Sequence, residues 1–349
     1  MIKKRKEPKE KGGRDLKRSI CAVLLLAAVL FLLPSCGRGP KRRTVTFFAM
    51  DTVMDLAVYG SPETLTEAEA TVRAVEDLLS VTKPGSAVAA LNREGAVVSP
   101  GAAALIARIR ALCERTGGAL DPTVYPVLRA WGFTTGTYRV PGEDEIAALL
   151  PAVGYEKITV DGDRITISEG SGMDLGSVGK GYAADLLAAQ LRAAGVESAL
   201  LNLGGNVQAV GAKPNGEDWR VAIRDPGGEA YAATVAVRDR AVVTSGGYER
   251  CFERDGVRYH HILDPKTGAP ARSGLTSVTV VCESGLLADA LSTALFVMGP
   301  EAAADHWRAY RDFEAVFLLE NGEIRYTEGL EAALTVGPAY AGKATVIRP

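Results

Sequence analysis

The sequence predicts one α+β domain of mixed, mainly antiparallel sheets with packed helices, running from about residue 44 to 349. Three observations predict it. Strand-like segments cluster between helical ones, and turn residues join several of them as hairpins. No strong linker and no short-period repeat interrupts the chain after residue 43. A chain of 349 residues can bury a sizeable core, and 47% hydrophobic with 23% charged residues is an ordinary globular mix. That balance excludes a disordered tail, a disulfide miniprotein and a polytopic membrane protein. Glycine is over-used: its 38 residues make about 11% of the chain, against a typical share of roughly 7%.

The chain opens on a basic leader. Residues 1–35 hold nine Lys/Arg and three acids, and Ile20 to Leu33 then runs fourteen residues without a charge. A permanent span needs about 20 apolar residues, so a basic stretch before so short a run reads as a signal peptide. The run ends Leu33-Pro34-Ser35-Cys36, which resembles the bacterial lipobox, where the cysteine is lipidated and becomes the N-terminus. Residues 1–35 are therefore expected to be a lipoprotein signal, with Cys36 lipidated and residues 36–43 a tether. An uncleaved anchor, or an ordinary signal peptide with an incidental cysteine, is the alternative. Lipid at Cys36 would hold the domain at a bacterial cell membrane on its extracytoplasmic side.

Without the leader, 31 Lys/Arg face 39 Asp/Glu, a net charge of −8. So acidic a domain, with no basic stripe, is a poor nucleic-acid binder. Beyond Cys36 the mature chain has Cys113, Cys251 and Cys282, which cannot all pair with one another and include no CxxC. They are expected to be buried small hydrophobes.

The elements follow in order. Residues 44–59 alternate as a strand. Ser61-Pro62 and Ser99-Pro100 each offer an N-cap and a proline at the first helical position, opening helices to about Leu79 and Thr116. Residues 158–167 form a hairpin turning at Asp161-Gly162, and residues 181–194 a helix. Strands are expected near 198–203, 207–211, 219–224, 232–237, 257–263 and 276–281. Helices at about 285–297 and 301–310 precede a strand-like end with a hairpin candidate at Asn321-Gly322.

Residues 173–185 carry the first chemical signal. Gly176, Gly179 and Gly181 open a helix whose free N–H groups favour a phosphate, and Lys180 adds a cation. The spacing is not a dinucleotide fingerprint and no GKS/GKT P-loop occurs, so a packing or turn role stands beside phosphate binding. Asn202-Leu-Gly-Gly-Asn206 reads either as a tight hairpin or as part of a site. His260 and His261 are two of only three histidines; on a strand, neighbours point to opposite faces, so at most one serves a given site. Asp289 and Thr293, at i and i+4, share one helix face, and their oxygens are hard ligands of the kind Mg²⁺ accepts. Equally open is a threonine bonded to its own helix, with Asp289 capping or facing water.

Together these motifs resemble the FAD:protein FMN transferase (ApbE) family. The carrying residues are Met50-Asp51-Thr52, Gly118-Ala-Leu-Asp-Pro-Thr123, Asp174-Leu-Gly-Ser-Val-Gly-Lys-Gly181, Asn202-Leu-Gly-Gly-Asn206, Thr244-Ser-Gly246, His261-Ile-Leu-Asp-Pro-Lys-Thr-Gly268 and Ala288-Asp-Ala-Leu-Ser-Thr293. They stand in family order over residues 47–298. The resemblance implies an ApbE-like fold, related to the T-fold. It implies transfer of FMN from FAD to a Thr or Ser hydroxyl of an acceptor flavoprotein, such as an extracytoplasmic subunit of a redox complex, releasing AMP. By the same resemblance Met50, Ala119, Leu120, Asp121, Asp174, Lys180 and Leu263 line the FAD site. Ser177, Asp289 and Thr293 hold Mg²⁺, Ser177 through its carbonyl, and His261, Asp174 and Lys180 serve the chemistry. Two departures stand out: Asp51 occupies a position where glycine is usual, and no aromatic lies near Thr82. Two rival classes share these residues: an FAD diphosphatase using water as acceptor, and a non-catalytic flavin-binding lipoprotein.

Overall fold

A computed structural model describes residues 41–228 and 230–349, and Arg42–Pro349 form one compact unit. The signal segment, Cys36 and the tether up to residue 40 lie outside the described residues. Residues 44–59, expected as one strand, are two: β1 (Arg42–Ala49) and β2 (Thr52–Tyr59) fold back at Met50-Asp51. Both turn residues are left-handed, at φ 50° and 60°, the conformation a two-residue hairpin turn requires. Neither is glycine, so the usual sequence signal for the turn is missing.

The two Ser-Pro starts give α1 (Pro62–Leu79) and α3 (Pro100–Arg115). Between them lie α2 (Ala87–Glu94) and β3 (Ala96–Val98), which the sequence reading lacks, as it lacks α4 (Tyr125–Trp131) and α5 (Glu143–Leu149). Helices of seven or eight residues span too few turns to show a clear apolar period. The hairpin β4 (Ile158–Asp161) and β5 (Arg164–Ile167) is as expected, and α6 begins at Gly179 rather than 181, running Gly179–Ala193.

Next come β6 (Ala199–Leu203), β7 (Asn206–Val210), β8 (Trp219–Arg224), β9 (Tyr231–Val237) and β10 (Ala241–Gly246). The hairpin β11 (Cys251–Arg254) and β12 (Val257–His260) precedes β13 (Leu275–Cys282). Then α7 (Gly285–Met298) and α8 (Pro300–Tyr310) lead into β14 (Glu314–Leu319), β15 (Ile324–Thr327), β16 (Leu334–Val336) and β17 (Ala344–Ile347).

The main sheet has nine strands in the order β1-β2-β6-β7-β10-β13-β14-β15-β17, antiparallel except for the β15–β17 pair. The fold is thus α+β, a single domain of mixed, mainly antiparallel sheets. Its central strands are buried on both faces, and their side chains divide by parity. Val278, Val280 and Phe317 join the core beneath α7 and α8, while Val281, Val316 and Leu318 pack against Trp219, Val221 and Val235 of the small sheet β16-β9-β8. Ala184, Leu187 and Leu191 of α6 share a second core with Leu201 and Leu203 of β6 and with Leu286 and Ala290 of α7.

Cys113 and Cys282 are buried, as expected, but Cys251 is half-buried. Burial pushes the Cys113 and Cys282 thiols up, so neither is a thiolate at neutral pH. No helix among the described residues is long and apolar enough to cross a membrane.

Candidate active site

Two helices meet here at their N-terminal ends. A Cβ on Gly181 of α6 would lie 2.1 Å from the Gly285 carbonyl oxygen of α7, and one on Gly285 would lie 2.6 Å from the Gly181 oxygen. This approach brings together two positive dipole ends and their unpaired N–H groups, which is unfavourable unless anions answer them. Each helix answers the other. Asp289 of α7 accepts from the Gly181 N–H at 2.8 Å. Asp185 of α6 accepts from the Gly285 amide, from Ser284 Oγ at 2.8 Å and from the Leu286 amide at 3.2 Å. Asp289 is thus a cap, but for a helix 108 residues distant rather than its own. Asp185 was not among the expected residues, although its signal is in the sequence: Gly181-x-x-x-Asp185 and Gly285-x-x-x-Asp289 repeat one spacing.

Charge collects around this crossing. Burial pushes the Asp289 carboxyl above its ordinary range, opposed by the Lys180 charge and by the helix amides. Asp174 is likewise pushed up by burial, opposed by the Gly176 amide, whose N–H it accepts at 2.7 Å, and by Arg250 and Lys180. Lys180 is half-buried and, among the described residues, has no acid within 4 Å. One cation therefore acts on two carboxylates without being locked to either. Ser177 is half-buried in the turn just before α6. Thr293 stands one turn beyond Asp289, with its Oγ1 3.2 Å from Ser245 Oγ, which also contacts Ser292 Oγ at 2.8 Å.

The two histidines separate as strand geometry requires. His260 ends β12 and turns inward, with Nε2 3.1 Å from the Ala271 carbonyl and its ring edge-on to Phe296. His261 lies beyond the strand, its Nδ1 3.2 Å from the Arg250 carbonyl, which also accepts from the His261 N–H at 3.0 Å. A carbonyl only accepts, so Nδ1 carries the proton and Nε2 the lone pair. Burial, with the charges of Arg250 and Lys180, pushes the imidazole down to about 3, so it is neutral at pH 7.

The β1–β2 turn reaches this group from the sheet edge. The Met50 N–H donates to Glu76 Oε1 at 2.8 Å, and Met50 Cε packs on Gly179, where a Cβ would approach to 3.1 Å. Asp51 is exposed and faces Arg250, a residue with no role expected from the sequence, at 3.6 Å. Leu120 is buried and Ala119 half-buried. The Asp121 carboxylate braces its own loop, accepting from the Thr123 amide and hydroxyl at 2.8 and 2.5 Å and from the Tyr155 amide at 2.8 Å. That loop meets the site through the Asp174 N–H, which donates to the Pro122 carbonyl at 2.8 Å. Leu263 is buried with Val127 and Trp131 in a separate apolar cluster. The structure therefore gathers Met50, Asp174, Lys180, His261 and Asp289, whereas Asp121 and Leu263 are engaged in packing their own segments.

Ser177, Asp289 and Thr293 offer only hard oxygen donors. Among the described residues no three His, Cys, Asp or Glu side chains converge as a cage. One carboxylate with hydroxyl and carbonyl oxygens fits Mg²⁺, which keeps waters and takes phosphate oxygens, and does not fit a closed zinc or calcium site. A separate cavity of about 620 Å³, lined by Arg238, Arg240, Arg311 and Leu330 among others, holds none of these residues. Its arginines are already paired with Asp218, Glu283 and Glu328.

A family model described as the ApbE family matches residues 50–317, a span that contains the whole crossing and its charges. The chain belongs to the ApbE family. The FAD:protein FMN transferase of Treponema pallidum is 34% identical over 340 residues, which cover 88% of this chain and 93% of that protein. The FAD:protein FMN transferase of Vibrio cholerae is 32% identical over 294 residues, 80% of this chain and 88% of that one. In structure, this ApbE-family chain resembles the ApbE protein of Thermotoga maritima with a TM-score of 0.79 and 33% identity, covering 84% of this chain and 99% of that one. The apo flavinyl transferase ApbE of Pseudomonas stutzeri gives 0.73 and 32%, covering 87% and 96%.

Proposed function

We propose that this chain transfers the FMN moiety of FAD to a Thr or Ser hydroxyl of an acceptor protein through a phosphoester bond, releasing AMP. The observation that carries this reading is the unlocked Lys180 at the crossed helix N-termini, facing a histidine of defined tautomer. Such a place suits a diphosphate: the positive end of α6 and a cation attract it, and no charged partner must first be displaced from Lys180.

Phosphoryl transfer asks the protein mainly for positioning and charge neutralisation. Lys180 and the start of α6 stabilise charge on the diphosphate, while Met50 and the loop around Ala119, Leu120 and Asp121 orient the dinucleotide. The acceptor hydroxyl attacks the riboflavin-side phosphorus, an O–P bond forms, the P–O–P bond breaks, and AMP departs. His261 Nε2 takes the hydroxyl proton. Burial, and then the charges of Arg250 and Lys180, keep that imidazole neutral in the free protein; a diphosphate that offsets both cations raises its basicity when a base is needed. Ser177, Asp289 and Thr293 would hold Mg²⁺, which when bound supplies further positive charge at the diphosphate.

The same reading assigns residues 1–35 to a signal peptide and residues 44–349 to the transferase domain. Cys36 becomes the lipid anchor at the extracytoplasmic face of a bacterial membrane, where membrane redox-complex subunits are the acceptors. Incubation with FAD, Mg²⁺ and a candidate acceptor domain tests the activity. Covalent flavin fluorescence on a denaturing gel, with one AMP released per label, is the expected result. Free FMN without labelled protein assigns the site to hydrolysis, and flavin retained with neither product assigns it to carriage.

A further inference from the structure

We infer that Arg250 is a phosphate-binding residue of this site and that Asp51 is its resting counter-ion, competing with the incoming diphosphate. The inference rests on the dinucleotide reading above and adds two residues to it. Arg250 is fixed at its backbone and loose at its tip. Its carbonyl accepts both the N–H and the Nδ1–H of His261, at 3.0 and 3.2 Å, so its main chain is tied to the reacting group. Its guanidinium is half-exposed and meets one acid among the described residues, Asp51, at 3.6 Å, too long for a hydrogen bond. Arg115, by contrast, holds Asp312 with two bonds of 2.8 and 2.6 Å. The Arg250 charge nevertheless reaches inward, acting on both Asp174 and His261, as Lys180 does. Arg250 and Lys180 therefore act on one spot from two different segments. Arginine's planar fork suits a phosphate better than a single distant carboxylate.

Asp51 sits where it can let go. Its side chain is 80% exposed, at the tip of the β1–β2 turn, and its left-handed φ of 60° aims it outward while the neighbouring Met50 stays packed on Gly179. In the free protein Asp51 holds the Arg250 charge, and the phosphate takes Arg250 over on binding, so the carboxylate acts on affinity through Arg250.

A double-mutant cycle on FAD affinity tests this, read by quenching of flavin fluorescence in chelator with no acceptor present, so that binding alone is observed. Asp51→Asn suits a left-handed turn residue and removes only the charge. It should tighten FAD about threefold to fivefold, the range of an exposed ion pair. Arg250→Gln keeps the carbonyl that holds His261, and should weaken FAD about tenfold or more. The double variant should match Arg250→Gln alone. A gain from Asp51→Asn that persists without Arg250, or wild-type affinity in Arg250→Gln, overturns the inference while leaving the transferase reading in place. Wild-type protein that binds no FAD, in chelator or with Mg²⁺ restored, overturns both.

Discussion

Gly205 of the Gly204-Gly205 turn and the glycines of the Gly181–Gly285 crossing are needed for unrelated reasons. In the turn between β6 and β7 the backbone is left-handed, at φ 59° and 94°, and a Cβ on Gly205 would meet nothing within 4 Å. Asn202 Oδ1 completes it by accepting from the Gly205 N–H at 2.9 Å. At the crossing neither glycine has a positive φ, but a Cβ on either would strike backbone of the other helix. Gly205 uses glycine's conformational freedom alone; Gly204 also lacks room for a side chain, since its Cβ would lie 2.3 Å from the Thr52 side chain, whereas at the crossing the obstacle is the main chain of another helix.

Gly181→Ala should separate the two regions most sharply. Its Cβ would sit 2.1 Å from a main-chain oxygen and 2.7 Å from the Asp289 Cβ, neither of which can swing away. A cost of about 3 kcal/mol is expected, with transfer lost because Asp289 is displaced. Gly205→Ala should cost only about 1 kcal/mol, for the left-handed φ, and leave transfer intact. Denaturant unfolding of both variants checks this, and equal costs would break the comparison.

The two crossing carboxylates are the next probe. Asp289→Ala orphans the Gly181 amide, at about 1–3 kcal/mol, and should abolish Mg²⁺-dependent transfer; unchanged transfer would remove Asp289 from the metal assignment. Asp185→Ala loses three donors on α7 and should destabilise by a similar amount. It should leave measurable transfer, because Asp185 faces the cap rather than the diphosphate. Paired unfolding and gel-labelling assays distinguish a carboxylate that stabilises from one that also binds.

Proline at the first helical position made α1 and α3 readable, because it acts locally, although neither Ser61 nor Ser99 makes the side-chain cap expected of it. The crossing is not local, which is why Asp185 and the capping of Asp289 were missed despite the repeated Gly-x-x-x-Asp spacing. The role of Arg250 was unreadable for the same reason: it lies in a carbonyl bonded to His261 and a charge acting across segments. Asp121 shows the opposite limit. Its family-like motif was readable, but its carboxylate has three donors within its own neighbourhood.

His261 and Asp174 put the smallest effects on pH. With His261 held near 3 in the free protein, kcat/KM for transfer should show no inflection near 6.5, the ordinary histidine value; one at that pH would place the base elsewhere. Asp174 tests the electrostatic cost of the site. Its folded carboxyl is raised above the ordinary 3.8, so the folded state binds its proton more tightly than the unfolded chain does. Stability is therefore lost as pH rises from about 3.8 through the folded value, and the penalty is complete above it. Asp174→Asn keeps the oxygen that accepts from Gly176 and removes the charge. It should stabilise the protein at pH 7 by about 1 kcal/mol, the size of an ordinary stability–activity exchange, while slowing transfer. Below about pH 3.8 the two proteins should unfold alike. A gain that persists there would mean that packing, and not the buried charge, limits stability at this end of the site.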